Sequence, residues 1–188
     1  MSLDGYIEDN AGKLDWLMVD QDESYVQEFL SRFDIVFFGR VAYEQYGSYL
    51  ASHDSSSSEN PLSNFGRQLR KYVFSRTLKH VEGNGMVINR NIRETVQHLK
   101  EEEGNDIWLF GGAGIIRSFT ALQLIDEYIL AIQPVILGRG KPLFEGLSQQ
   151  VRLHLIGAET LTSGVTILNY RPVSKLKKSA FVKLRAGG

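Results

Sequence analysis

The spacing of apolar residues predicts that strands and helices alternate along the first two-thirds of the chain. In ESYVQEFLSRF, residues 23–33, apolar side chains recur at the period of one helix face. Short apolar runs predict buried strands at 34–39, 71–75, 86–88 and 106–112. Helical patterns follow three of these runs, at 40–50, 91–104 and 113–124. Such alternation is typical of parallel strands joined by crossover helices.

Strand patterns dominate the last third of the chain. Segments 126–137, 151–161 and 164–171 are rich in Val, Ile, Leu and Tyr, and TSG at 162–164 suits a hairpin connection. Strands that follow one another without helices favour antiparallel pairing. Segment 51–66, with four consecutive serines, predicts a surface loop. The pattern as a whole predicts a single α/β domain with a mixed, mostly parallel central sheet flanked by helices.

Composition argues against several functional classes. The chain has 188 residues, a formal net charge of -1 and no cysteine. It therefore lacks a general electrostatic basis for nucleic-acid binding, and it has neither disulfides nor thiolate chemistry. Its four histidines show no metal-ligand spacing, so we expect no catalytic metal. Because no signal peptide and no apolar run of about 18 residues is visible, we expect a soluble cytoplasmic protein without a membrane span.

Three glycines stand where a predicted strand meets a predicted helix, in IWLFGGAGIIRSF at 107–119. They are Gly111, Gly112 and Gly114. The first amides of a helix have no partner inside it, and the helix dipole adds partial positive charge, so this arrangement suits a phosphate group. The alternative is a tight strand-to-helix turn with nothing bound. The spacing is not GxGxxG, so it is not an ordinary dinucleotide-binding fingerprint.

Two other strand ends carry residues that suit a phosphate. FFGRVAYE at 37–44 places Arg40 directly after a strand and a glycine, and VFSRTLK at 73–79 ends a strand with Ser75, Arg76 and Thr77. Surface arginines that are merely solvated are the alternative for each. Parallel strands bring such ends together along one edge of a sheet, where open α/β sheets bind their ligands.

The chain resembles the dihydrofolate-reductase-like reductases, specifically the group similar to the C-terminal reductase domain of the riboflavin-biosynthesis protein RibD. The resemblance lies in segments that occur in the family's order. These are SLDGYIED at 2–9, LDWL at 14–17, FGRVAYE at 38–44, VFSRTL at 73–78, FGGAGI at 110–115 and PVILGRGKPLF at 134–144. It implies a reductase domain over residues 1–172, followed by a basic tail at 173–188.

The resemblance implies an NADPH-dependent reductase and assigns its cofactor residues. Gly39 and Arg40 lie at the pyrophosphate and the adenosine phosphate, whereas Ser75, Arg76 and Thr77 hold the 2′-phosphate. The residues implied at the pyrophosphate beside the helix start are Gly111, Gly112, Ala113, Gly114 and Ile115. A serine hydroxyl with a guanidinium fork suits a dianionic phosphate on physical grounds as well. The resemblance also implies a cis peptide between Gly111 and Gly112.

Fewer residues can be assigned to the substrate than to the cofactor. Asp4 is the candidate for hydrogen bonding to a pyrimidine amide or ribose hydroxyl, with a turn residue as the alternative, and Trp16 is a candidate pocket wall, with core packing as the alternative. Dihydrofolate reductases carry a carboxylate that faces the pterin, but here Gln21 is nearest that position, between Asp20 and Asp22. These two acids are therefore candidates, and helix N-terminal capping is the alternative for them.

Three functions stay open on the sequence. They are an NADPH-dependent reductase of a pterin-like or ribosylaminopyrimidine-like molecule, a genuine dihydrofolate reductase, and a nucleotide-binding homodimer without turnover. The zinc deaminase activity of the complete riboflavin protein is not expected, since no HxE is combined with a PCxxC in a chain that has no cysteine. We also predict a homodimer, because long apolar strands on a small domain leave an edge or patch that favours association.

The start of the chain raises a separate structural question. In the family, SLDGYI follows a central first strand, which the sequence here does not contain ahead of Met1. A bare gap in the sheet is not expected, because each buried unpaired backbone group costs about 1–3 kcal/mol. Three explanations are open. The flanking strands close up, SAFVKL at 179–184 fills the gap, or further aliphatic residues precede Met1. We favour the last of these; the alternative for residues 179–184 is a disordered basic tail.

Overall fold

The structure is a computed structural model that describes residues 1–18, 23–47, 66, 68–82 and 85–176. Three predictions fall outside these ranges. They are the serine-rich loop at 51–66 apart from its last residue, the candidate acids Asp20 and Asp22, and the tail segment 179–184. No helix in the described ranges is long and apolar enough to cross a membrane.

A four-stranded parallel sheet forms the centre of the domain. Its order is β4-β3-β2-β5, and its strands are β2 at Phe33–Gly39, β3 at Arg70–Phe74, β4 at Gly85–Ile88 and β5 at Asp106–Gly111. All three ladders are parallel, as the alternation of strands and helices predicted. The strand β2 lies between two others, which explains why its sequence is apolar on both faces.

Helices in the described ranges accompany this sheet. They include α1 at Glu23–Ser31, α2 at Arg40–Ala42, α3 at Ile92–Glu101 and α4 at Ala113–Ala121. The predicted helix 40–50 begins with α2, which a π-helical turn at Tyr43–Gly47 continues. Asn91 directly precedes α3, lies in the left-handed region and makes no capping hydrogen bond with its side chain.

Side chains of β2 alternate between two hydrophobic clusters, one on each face of the sheet. Phe33, Val36 and Phe38 pack in the first cluster, with Leu69 and Val73. Ile35 and Phe37 point the other way, into the second cluster. That cluster also contains side chains of α3 and α4, namely Val96, Leu99, Ile115 and Phe119. From Ile35 to Phe38 the period of two thus supplies both layers of the core, whereas a register shift between Phe33 and Ile35 places Phe33 in the first cluster.

The last strands form a separate antiparallel sheet of order β6-β9-β8. Its members are β6 at Tyr128–Ile132, β8 at Leu153–Thr160 and β9 at Thr166–Pro172. The hairpin connection at 162–164 is confirmed, because β8 and β9 pair antiparallel. The predicted strand 126–137 is too long: β6 ends at Ile132, since Pro134 has no N–H for a ladder and the Val135 amide bonds to the Gln133 carbonyl.

A small antiparallel ladder was not predicted. It joins β1, at Tyr6–Asp9, to β7, at Gly140–Pro142. The strand β7 lies within the glycine-rich segment LGRGKPLF at 137–144. Both strands are too short for their apolar periodicity to stand out.

Asp4 holds this loop in position. Its carboxylate accepts hydrogen bonds from the backbone N–H of Leu137 at 3.1 Å and of Gly138 at 2.7 Å. Partial desolvation would raise the pKa of Asp4, but hydrogen bonds from the Ser2 hydroxyl and from the Gly138 and Leu137 amides outweigh it and lower the pKa below its ordinary value. The charged form of Asp4 therefore fastens the start of the chain to the segment after β6.

The two larger sheets do not join into one continuous ladder. Among the described residues, β5 pairs only with β2, and β6 pairs with β9 and, at its end, with Met1. A cavity of about 760 Å³ lies between β5 and β6 and is lined by both. The mixed α/β architecture with a parallel central sheet flanked by helices is confirmed. In the described residues the antiparallel strands form a separate ladder on the other side of this cavity.

We predict that Asp4→Asn destabilises the protein at neutral pH. The folded-state pKa of Asp4 lies below its ordinary value of about 3.9. Its contribution is therefore complete above that ordinary value and is lost as the pH falls through the lower folded-state pKa. Urea unfolding should give the Asp4→Asn variant a lower midpoint than wild type at pH 7, with a difference that shrinks in acid. Asp15→Asn, at an exposed site, is the control; equal midpoints at pH 7 would contradict the assignment.

Candidate functional site

The carboxyl ends of three parallel strands lie side by side at one edge of the central sheet. Gly39 ends β2 and is in register with Phe74, the last residue of β3, so Ser75 comes next to it. Gly111 ends β5 and is in register with Phe38. Neighbouring strands are about 4.8 Å apart. The structure thus brings together the three strand ends on which the sequence had placed the cofactor residues.

Gly39 allows helix α4 to begin close to the end of β2. A Cβ at Gly39 would lie 3.4 Å from Cγ2 of Ile115 and 3.6 Å from the carbonyl oxygen of Gly111. A side chain larger than alanine would therefore push against the first turn of α4. The strand end and the helix start form one continuous backbone surface at this point.

The turn between β5 and α4 depends on two glycines in unusual conformations. Gly111 has φ of 125° and Gly112 has φ of 93°, values that side-chain-bearing residues rarely adopt. The prediction of a cis peptide at this bond is wrong, because the described residues contain no cis peptide bond. The reversal into the helix is made instead by the two positive φ angles, after which the Gly112 carbonyl accepts bonds from the Ile115 and Ile116 amides.

The N-terminus of α4 presents backbone donors without a side-chain cap. Gly112 occupies the cap position, and no side chain accepts a hydrogen bond there. The first amides of any α-helix, here those of Ala113 and Gly114, have no partner within the helix. Among the described residues, a Cβ at Gly114 would meet no atom within 4 Å, whereas Ala113 is buried. The described residues therefore leave the space above Gly114 open, and the donors beside it suit an anionic group.

Arg40 already has an anionic partner. Its Nη1 lies 2.5 Å from Oε2 of Glu44, one helical turn later, and both side chains are about half exposed. The hydrogen bond and the charge of Glu44 raise the pKa of Arg40. A phosphate at this strand end would compete with Glu44 for the guanidinium. The i,i+4 spacing of the two residues was visible in the sequence.

Ser75 shapes the turn that follows β3. Its Oγ accepts hydrogen bonds from the amides of Thr77 at 3.1 Å and Leu78 at 2.9 Å. A hydroxyl that accepts two bonds can still donate its own hydrogen, and the Thr77 hydroxyl lies 3.4 Å away. Arg76 and Thr77 are exposed at the tip of this turn. The turn therefore presents a guanidinium and hydroxyl donors at the sheet edge.

The substrate-side candidates are not brought to the glycines. Asp4 is engaged by the loop after β6, as described above. The indole N–H of Trp16 donates to the carbonyl of Lys13 at 3.1 Å, and the ring is half-buried in a local turn. No described contact joins either side chain to Gly111 or Gly112. Both stay hypotheses as substrate contacts.

Gln133 is a structural residue that sequence reasoning missed. It is buried, and its Oε1 accepts the amide of Met18 at 2.9 Å, while its own amide bonds to the Met1 carbonyl. It thus ties two early segments of the chain to the end of β6. A glutamine followed by proline inside the apolar segment 126–137 was the available signal, because a buried amide requires partners.

Sequence comparison supports the family expected from the motifs. A model of the RibD C-terminal domain matches residues 1–167. The Bacillus subtilis (strain 168) protein YyaP is 39% identical over 170 residues, which cover 90% of this chain and 90% of YyaP.

Solved structures agree in fold. A Shewanella sp. PV-4 protein described as a riboflavin biosynthesis protein matches with a TM-score of 0.73 and 26% identity. The match covers 92% of this chain and 94% of the Shewanella chain. A Thermotoga maritima diaminohydroxyphosphoribosylaminopyrimidine deaminase/5-amino-6-(5-phosphoribosylamino)uracil reductase matches with a TM-score of 0.64 and 18% identity. The match covers 91% of this chain and 54% of the Thermotoga chain.

Dihydrofolate reductase from Enterococcus faecalis, complexed with NADP(H) and RAB-propyl, matches with a TM-score of 0.60 and 13% identity. The match covers 92% of each chain. The low identity shows a shared fold only. Together, the family model, YyaP and the split arrangement of parallel and antiparallel strands identify the chain: it belongs to the RibD C-terminal domain family, with a dihydrofolate-reductase-like fold.

Proposed function

We propose that this protein is an NADPH-dependent reductase that transfers hydride to a pterin-like or ribosylaminopyrimidine-like small molecule, with residues 1–172 as the reductase domain. The observation that carries the proposal is the meeting of three strand ends with the uncapped start of α4. Backbone amides of α4 and the residues Arg40 and Arg76 thereby lie at one sheet edge. Membership of a family of riboflavin-pathway reductases supports the reaction class.

The residues present fit a dinucleotide with an additional phosphate. Open space beside Gly114 and the close approach at Gly39 form a cradle that side chains would fill. The pyrophosphate would receive the amides of Ala113 and Gly114. The 2′-phosphate would lie against Ser75 and Arg76, where a hydroxyl donor and a planar guanidinium match its charge and shape.

The chemistry requires no nucleophile from the protein. Reduced nicotinamide, when bound, supplies the hydride. The protein's own groups bind the phosphates, orient the ring and hold the substrate near it, since small displacements cost large factors in rate. Asp4 keeps the loop at 137–138 in place through two backbone hydrogen bonds, so its role in the proposal is to position that loop.

The substrate class rests on the family. The Thermotoga protein is named as a reductase of a phosphoribosylaminouracil. For this chain we propose a substrate with the same class of ring, not the same molecule. Leu3, Met18 and Ile136 are large apolar side chains that are exposed in the structure. They belong to segments bonded to Gln133 or Val135, which gives that end of β6 an apolar surface for a flat ring.

A panel assay tests the proposal. Candidate pterins, dihydrofolate and ribosylaminopyrimidines are incubated with the protein and either NADPH or NADH, and the loss of reduced-nicotinamide absorbance is followed. We expect turnover of at least one pterin or pyrimidine, with preference for NADPH. Cofactor binding without turnover of any compound would favour the non-catalytic nucleotide-binding alternative. Turnover confined to dihydrofolate would favour a genuine dihydrofolate reductase.

Arg76→Ala should weaken NADPH binding far more than NADH binding. Loss of a charged hydrogen bond costs about 1.5–3 kcal/mol, and only NADPH carries the 2′-phosphate. Titration of protein fluorescence or calorimetry measures both affinities. Arg32→Ala is the matched control, because Arg32 lies at the opposite end of β2 in an exposed pair with Asp106. Equal losses for both cofactors would remove Arg76 from the 2′-phosphate site.

Gly114→Ala and Gly112→Ala should separate cofactor contact from folding. Alanine at Gly114 meets no atom of the described residues and should stabilise the free protein by up to about 1 kcal/mol, yet it should weaken NADPH binding by filling the cradle. Alanine at Gly112, where φ is positive, should cost about 1–3 kcal/mol of stability. Thermal unfolding with and without NADPH gives both quantities. Unchanged NADPH affinity in the Gly114→Ala variant would contradict a pyrophosphate at α4.

We also propose that the protein is a homodimer associated through β8. Among the described strands, β8 pairs only with β9, and Leu155 and Ile156 are 47% and 42% exposed. Exposed edges with apolar side chains favour association. Leu155→Lys should shift a dimer to a monomer in light scattering at micromolar concentration. Met86→Lys, on the edge strand β4, is the control, and a monomeric wild type would overturn the proposal.

A further inference from the structure

A second cavity lies at the C-terminal end of helix α4, away from the proposed cofactor site. Its volume is about 340 Å³, and its walls are the end of α4, the segment 147–152 and the helical turn Val173–Lys175. Thr120, which lines it, lies about 9 Å along the helix axis from Gly114. The volume lies in the range of cavities that hold small molecules.

An adjoining cavity of about 390 Å³ shares part of this lining. Thr120, Tyr128 and residues 147–151 border both cavities. The residues that line only the larger cavity are Phe144 and Leu153, which are both apolar. We call the two cavities together the α4-end pocket. Phe144 and Leu153 give it an apolar half.

The other half of the α4-end pocket offers hydrogen-bond donors, and its described lining contains no carboxylate. Gln123, Arg152 and Lys175 line this half alone. Lys175 is already paired with Asp126 at 3.0 Å, whereas Arg152 has no ion pair within the described part of the chain. The Arg152 carbonyl accepts the Val173 amide at 2.9 Å, which fixes the backbone beside the pocket. An unpaired guanidinium at a pocket without acids favours an oxyanion.

Two buried hydroxyls lie where the halves of the pocket meet. Thr120 and Tyr128 are 6% and 7% exposed, and their hydroxyl oxygens are 3.0 Å apart. Two hydroxyls carry two hydrogens, and their mutual bond uses one of them. Neither hydroxyl has another hydrogen-bond partner among the described residues. Burial raises the pKa of the Tyr128 phenol more than the hydrogen bond with Thr120 lowers it, so the phenol stays protonated. One hydroxyl hydrogen is therefore left for a ligand.

Gln123 ends α4 in a conformation that favours glycine. Its φ is 56°, in the left-handed region. Its amide donates to the Thr120 carbonyl at 3.0 Å, and the Leu124 amide donates to the Phe119 carbonyl at 2.9 Å, so two of the last carbonyls of α4 are already occupied. Glycine would suit this backbone better, whereas glutamine adds a side-chain amide to the polar half. A Gln123→Gly variant can therefore separate stability from binding.

We propose that the α4-end pocket is a second binding site, for a small molecule that carries a phosphate or carboxylate on a flat apolar group. The oxyanion lies against Arg152 and Gln123 and accepts the free hydrogen of the Thr120–Tyr128 pair. The apolar group packs against Phe144, which is 39% exposed and whose ring already meets that of Tyr128 edge-on, with centroids 6.0 Å apart.

Titrations of the full chain with phenyl phosphate and with benzoate test this proposal, followed by NMR shifts of the backbone amides. Inorganic phosphate and phenol are the matched half-molecules. Arg152→Gln and Gln123→Gly change the pocket, whereas Arg93→Gln, at an exposed site on α3, is the control for charge. Arg76→Ala is the second control, because it removes an arginine of the proposed cofactor site.

We expect saturable shifts in residues 120–128 and 147–152 with phenyl phosphate or benzoate, at lower concentrations than with either half-molecule. Arg152→Gln should weaken this binding at least about tenfold, because a charged hydrogen bond is lost. Gln123→Gly should weaken it about threefold, while its thermal midpoint rises. The two control variants should bind the probes as the wild type does.

Equal affinities of the wild type and the Arg152→Gln variant would overturn the proposal. So would shifts confined to residues 39–40, 75–77 and 111–114, because the anion would then lie at the sheet edge. An absence of saturation below about 10 mM, a very weak affinity, has the same consequence. None of these outcomes depends on NADPH binding, so the second site and the proposed function can fail independently.

Discussion

The reversal at Gly111–Gly112 is the constraint on which the candidate site depends. Positive φ at two consecutive residues ends β5, turns the chain into α4 and leaves the first amides of the helix facing the end of β2. Gly39 completes the arrangement, because the absence of its side chain lets Ile115 approach within contact distance. Glycine is favoured at 111 and 112 by conformation, whereas at 39 proximity excludes side chains larger than alanine. At 114 neither reason applies among the described residues, and the proposed function accounts for the open space there by a bound phosphate.

Sequence patterns were sufficient for the elements that carry many apolar residues. The runs at 34–39 and 106–112 became β2 and β5 because a strand buried on both faces must be apolar throughout. Sequence patterns were insufficient where a strand forms only by pairing with a distant segment of the chain. The ladder between β1 and β7 exists because Asp4 binds the backbone at Leu137 and Gly138, and no local periodicity encodes a contact between residues so far apart in the chain.

The location of the candidate site could be predicted for a topological reason. Parallel strands point their carboxyl ends the same way, so Gly39, Ser75 and Gly111 had to share an edge once the alternation of strands and helices was recognised. Whether each side chain is already bonded to a local partner could not be predicted in this way. Arg40 is held by Glu44, and Ser75 uses its lone pairs on its own turn. Such local partners compete with a ligand, so residue type alone overstates how free a phosphate-binding group is.

The two sides of the proposed active site belong to different hydrogen-bonded units. The glycines lie on the parallel sheet, whereas Asp4 and Gln133 lie with β6, and no described ladder crosses between β5 and β6. Side-chain contacts join the units instead: the hydroxyls of Thr120 and Tyr128 lie 3.0 Å apart, and Lys100 donates to the Leu124 carbonyl. Hydride transfer is sensitive to displacements of about 1 Å. Individual contacts of this kind contribute only about 1 kcal/mol each, far less than a continuous ladder along two strands. In the proposed function, the separation of cofactor from substrate therefore depends on these side-chain contacts between the two units.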